Sequence, residues 1–119
     1  MEKFHSVQIN SIYCESTSES STDEVFLTCQ ADGLTPRRFP KAINNSYPMQ
    51  KGNTWQLDHL VIEFQFEVLV TLWDHDLNYD PNLCTYLQST DFEPGTGSGS
   101  RRLKNRNGAS YTINYTYLS

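Results

Sequence analysis

The sequence predicts an all-β fold, an antiparallel β-sandwich of about eight strands. Two segments alternate with period two: Phe64, Phe66, Val68, Val70 and Leu72 in one, and Tyr111, Ile113, Tyr115 and Tyr117 in the other. Apolar residues at every second position describe a half-buried strand, whereas a helix needs them three and four apart. Composition agrees, since aromatics make up 13 % of the chain, with seven Tyr and six Phe, and aromatic rings favour pleated sheets.

Taken in order, residues 4–14 form a first strand, with Val7 and Ile9 alternating with Ser6, Gln8 and Asn10. Residues 15–23, ESTSESSTD, contain no apolar side chain and form a loop. Residues 24–30 supply a second strand, with Val25, Leu27 and Cys29 on one face. Gly33, Pro36, Pro40, Pro48 and Gly52 punctuate residues 31–54, which leaves room there for short edge strands only. Trp55, Leu57, His59 and Val61 alternate along a strand that leads to the central one, and helix competes as a reading of that segment. The central strand carries Phe64, Phe66, Val68, Val70 and Leu72 into the core, and a further short strand covers residues 84–88. Residues 93–100, EPGTGSGS, form a long loop. Residues 101–103 form one arm of a hairpin turned by Asn107-Gly108, and the Tyr111 segment returns as the other arm.

The 119 residues fit one domain, 1–119, with one core. A net charge of −5 argues against nucleic acid as a partner, because that binding rests on Lys and Arg neutralising phosphates. The start lacks a basic and then apolar leader, and no stretch approaches the roughly 20 apolar residues that span a bilayer, so a soluble cytoplasmic chain is expected. Cys14, Cys29 and Cys84 cannot all pair within the chain and have no CxxC spacing, so they read as buried thiols.

After the central strand the chain turns polar, with Asp74, Asp76, Asp80 and Asn82 close together in one loop. Clustered carboxylates repel unless solvent or a cation neutralises them, and hard oxygen donors suit calcium. Residues 68–83, VLVTLWDHDLNYDPNL, resemble the calcium-binding loop of C2 domains, in which a strand ends in an aromatic residue and an Asp-x-Asp pair. Asp74 and Asp76 match that pair, Asn82 stands at the later acidic position and Leu83 matches the apolar residue after it. Residues 22–27, TDEVFL, resemble the Ser-Asp-Pro-Tyr-Val segment of the same family, which places Asp23 among the ligands. The resemblance implies a non-enzymatic module that binds calcium at one end of the sandwich, through Asp23, Asp74, Asp76, Asp80 and Asn82, and docks there to acidic lipid or a protein. Three positions depart from the family pattern: Thr17 stands where another Asp is usual, Asn82 replaces an acid and Cys84 replaces a Gly. Fewer charged ligands imply a weaker site, although Glu15 and Glu19 lie near enough in sequence to reach inwards.

A basic group, Arg101, Arg102, Lys104 and Arg106, is a second candidate, for a phosphate or an acidic partner, beside the reading of a solvated hairpin. An enzyme is not expected: His5, His59 and His75 are scattered, and no Gly-x-Ser-x-Gly turn presents a nucleophile. The alternative to the calcium module is a metal-independent interaction or structural sandwich.

Overall fold

The computed structural model describes residues 4–17, 22–40, 46–74, 83–88, 97–104 and 108–118, without the side chains of Asp58, His59, Asp74, Leu83, Cys84, Tyr86 and Gln88. Nine strands run through the described residues: β1 His5–Ser16, β2 Asp23–Ala31, β3 Arg37–Phe39, β4 Tyr47–Met49, β5 Thr54–Phe64, β6 Glu67–Asp74, β7 Leu83–Gln88, β8 Ser98–Lys104 and β9 Ser110–Tyr117. They form two sheets, one in the order β5-β1-β9-β8 and the other in the order β3-β2-β6-β7, with β4 also paired to β2. Every pairing is antiparallel. The fold is the antiparallel β-sandwich that the alternation predicts.

The core fills the space between the sheets because alternate side chains of each strand point into it. Val7, Ile9, Ile12 and Cys14 of β1 and Tyr111 and Ile113 of β9 face Val25, Leu27 and Cys29 of β2 and Val68, Val70 and Leu72 of β6, all buried. Residues 31–54 contribute the two short edge strands β3 and β4, of three residues each.

Three details differ from the sequence reading. Phe64 is buried, but as the last residue of β5, and Phe66 is 68 % exposed in the turn before β6. The alternation therefore runs across a strand boundary, because a two-residue turn preserves period two without keeping its side chains on one face. In β5, Trp55 and Leu57 point inwards, then Leu60, Ile62 and Phe64, while Val61 is exposed. The faces change at a register irregularity, between Ile9, which pairs with Leu60, and Ser11, which pairs with Gln56, and β1 changes face at the same place, with Val7 and Ile9 buried before it and Ile12 and Cys14 after it. Finally, β8 begins at Ser98, within the stretch read as a loop. Gly99 sits there opposite Tyr115, and a Cβ on it would lie 2.6 Å from the Tyr115 hydroxyl, so the missing side chain makes room for that ring.

Strand direction gives the sandwich two distinct ends. At one end β1 finishes, β2 begins and β6 finishes; at the other, β1 begins, β2 finishes in the Asp32-Gly33 turn, and β5 passes to β6.

Candidate functional site

Of the acidic candidates, Asp23 and Asp74 lie at the end where β2 begins. Val25 pairs with Asp74, so Asp23 and Asp74 stand at the same end of neighbouring strands although distant in sequence. Asp76, Asp80 and Asn82, with His75, lie outside the described residues, as does Glu19.

Asp23 shares the inward face of Val25, Leu27 and Cys29 and is 1 % exposed. Its Oδ2 accepts a hydrogen bond of 2.5 Å from the hydroxyl of Tyr111, on β9 of the opposite sheet. A buried carboxylate is costly unless hydrogen-bonded, and this bond supplies part of the compensation while tying the sheets together. Burial, reinforced by the bond to Asp23 and by its charge, pushes the Tyr111 phenol well above its ordinary range, so the hydroxyl stays protonated as the donor. The Cys14 thiol also contacts Tyr111; burial raises its pKa, that contact partly offsets the rise, and the charges of Asp23 and Glu15 add to it.

Glu15 does not reach inwards. It lies on the outer face of the first sheet, where one carboxylate oxygen accepts from the Thr112 hydroxyl and the other is 2.8 Å from the Arg102 guanidinium. Thr17, the position where the resemblance wanted a further acid, is itself engaged. Among the described residues no group of three or more His, Cys, Asp or Glu side chains is placed to hold a metal ion.

The basic group is divided by the pleat of β8. Arg102 and Lys104 are exposed on the outer face, Arg101 falls on the alternate positions with buried Leu103, and Arg106 lies outside the described residues. Arg102 is already paired with Glu15, so these cations do not form a single patch. Cys14 and Cys29 are buried free thiols, as expected, and burial pushes Cys29 up to about 12 despite the nearby Arg37.

Sequence reasoning missed two residues with clear roles. Alternation identifies Tyr111 only as a member of the closing strand, and nothing in its local sequence reports a partner on β2. Asp32 is the other. It has a positive φ of 53°, Gly33 follows at 74°, and Leu34 N–H donates to Ala31 C=O at 2.9 Å, which closes a tight turn. The Asp32 carboxylate then accepts from three successive backbone N–H groups, those of Gln65 (2.7 Å), Phe66 (2.8 Å) and Glu67 (3.0 Å). Burial pushes its pKa upwards, but the three donors outweigh that and hold it below the ordinary value. The Asp-Gly dipeptide was a legible turn signal; its reach to a second turn was not.

No protein-family model matches the chain, and no curated protein matches it. Twelve chains of solved structures do. One of them, described as "Structure of a C2 domain", is similar over 98 % of this chain and 98 % of its own length, at 10 % sequence identity and a TM-score of 0.48. Among the described residues no helix is long and apolar enough to cross a membrane.

Proposed function

We propose that this chain is a non-enzymatic binding module that takes up calcium at the end where β2 begins and β6 finishes. The cation would meet acidic phospholipid or a protein partner there. One observation supports the reading most directly: the register that sets Val25 against Asp74 puts Asp23 and Asp74 at one end, from which the segment carrying Asp76, Asp80 and Asn82 departs. The ligand oxygens we assign are those of Asp74, Asp76, Asp80 and Asn82. Asp23 adds its charge from between the sheets, where Tyr111 holds its carboxylate. Bound calcium would cancel the repulsion among these acids and offer positive potential to a phosphate headgroup.

The bond from Tyr111 to Asp23 also favours a second reading, a metal-independent interaction module, because a donor of the protein itself meets that buried carboxylate. Calorimetric titration of metal-stripped protein with calcium separates the two. Saturable heat that Asp74→Asn with Asp76→Asn abolishes supports the calcium module, and the absence of heat at millimolar calcium leaves the metal-independent one.

A further inference from the structure

β3 and β5 are the outermost strands of their sheets, and among the described residues no strand joins one to the other. Near the point where β2 finishes, the gap between them holds a cavity of about 430 Å³. Ala31 follows Val25, Leu27 and Cys29 on the inward face of β2, and its small side chain leaves unfilled the space that a larger residue would occupy. Cys29, Ala31 and Ile62 make an apolar floor, with the exposed Leu34 and Val61 at the rim. The volume lies in the lower part of the range of small-ligand sites, roughly 300–1,000 Å³, and such sites combine an apolar lining with a few placed polar groups.

In this cavity the polar groups include two unlike charges. Arg37 comes from β3 and Glu63 from β5, so they belong to opposite sheets. Arg37 is held in place: one guanidinium N–H donates to the Val61 carbonyl at 3.3 Å, and the group lies 5.2 Å from the centroid of the Phe39 ring. That bond engages one of its five N–H donors. Among the described residues Arg37 has no carboxylate partner and Glu63 no cationic one, and the two are not paired with each other. Unlike charges that border one cavity without meeting suit a ligand that carries both signs.

We propose that this cavity binds a free apolar amino acid, with its carboxylate on Arg37, its ammonium on Glu63 and its side chain on the floor of Ala31 and Ile62. The charges select this class. A guanidinium fork matches a carboxylate through two parallel N–H···O bonds, and the Glu63 carboxylate accepts from an ammonium. A fatty acid or other simple carboxylate would set Glu63 beside a like charge, and a simple amine would do the same to Arg37. Inside a peptide the amide bonds remove both charges. The site needs no calcium and lies at the opposite end of β2 from Asp23.

Amide chemical-shift titration of the full chain in chelator tests the inference apart from the calcium reading. The probes are L-phenylalanine, N-acetyl-L-phenylalanine, which lacks the ammonium, and 2-phenylethylamine, which lacks the carboxylate. L-phenylalanine is expected to shift the amides of Ala31, Thr35, Ile62 and Glu63 saturably, and each of the other two to bind roughly tenfold more weakly. Arg37→Gln and Glu63→Gln should each weaken L-phenylalanine by a similar factor. Glu63→Gln should also erase the preference over the N-acetyl form, and Arg37→Gln the preference over the amine. Arg102→Gln, which removes the partner of Glu15, should bind like the parent. Arg37 and Glu63 are both exposed, so the variants are expected to fold, and unchanged melting curves confirm it. No saturable shift with L-phenylalanine, shifts confined to residues away from the cavity, or binding indifferent to either glutamine substitution overturns the proposal. N-acetyl-L-phenylalanine that binds the parent as tightly as L-phenylalanine also overturns it and assigns the cavity to an apolar carboxylate.

Discussion

The Tyr111 hydroxyl reaches across the gap between the sheets to donate to Asp23 at 2.5 Å, and both residues are at most 1 % exposed. One end of the sandwich is thus closed by a charge-assisted hydrogen bond rather than by apolar contact alone. Tyr111→Phe keeps the ring but leaves the carboxylate without this donor. We expect a loss of about 1–3 kcal/mol. Chemical denaturation of the two proteins measures it, and equal midpoints would show that the bond contributes nothing.

Asp32 should behave as a clamp with an acid limb. Its folded-state pKa lies below the ordinary 3.8, so its contribution is complete above that value and is lost as pH falls through the lower folded value. The group is half-buried at a surface turn, so the effect is modest. Asp32→Ala should cost about 1 kcal/mol near neutral pH, in the manner of a lost helix cap, and the cost should shrink at the acid end of the profile. Parent and variant curves that stay parallel down to the acid transition would argue against the clamp.

Gly99 is a packing glycine. A methyl group there meets the Tyr115 hydroxyl and ring at 2.6–2.7 Å, so Gly99→Ala must push the ring aside. The expected cost is about 1 kcal/mol, at the low end for overpacking, because the clashing atoms are the outer end of a half-buried ring. Adding Tyr115→Ala should recover part of the loss, which a double-mutant cycle reads as coupling between the pair.

Cys14 and Cys29 should resist thiol reagents while the chain is folded. Burial denies access and raises both pKa values, that of Cys29 to about 12, which leaves little thiolate at neutral pH. Mass spectrometry after pulse labelling should find both unmodified in native buffer and fully modified in denaturant. Rapid native labelling of Cys29 would contradict its placement.

The all-β class and the inward faces of β1, β2, β6 and β9 were legible because alternation is a local signal that burial between sheets reads directly. The same rule failed at Phe66 and Val61. There a turn and a register shift change the face without disturbing the pattern of residue types, and neither leaves a local mark. Asp23 is a subtler case. Its parity with Val25, Leu27 and Cys29 was visible in the sequence and pointed inwards, but the resemblance of residues 22–27 to a ligand-bearing loop set it among the calcium ligands. The partners of Asp23, Asp32 and Glu15 lie 88, 33 to 35, and 87 to 97 positions away, beyond any pattern carried by neighbouring residues.

The calcium reading predicts a sign reversal. A ligand that binds only the native state stabilises it by about 2.7 kcal/mol at a hundredfold excess over its Kd, which raises Tm by roughly 4 °C or more per kcal/mol in a domain of this size. Melting of the parent with millimolar calcium should therefore lie several degrees above melting in chelator, and Asp74→Asn with Asp76→Asn should remove the difference. In chelator the same double substitution should leave Tm unchanged or raise it, because it relieves repulsion among carboxylates that no cation then neutralises. Acids that serve only to solvate the loop predict neither effect, and acids that hold the loop through hydrogen bonds predict a loss of Tm in chelator. Tyr111→Phe adds a control. It should lower Tm by the same amount with and without calcium if Asp23 contributes charge alone, whereas calcium should narrow the deficit if the freed Asp23 carboxylate becomes a ligand.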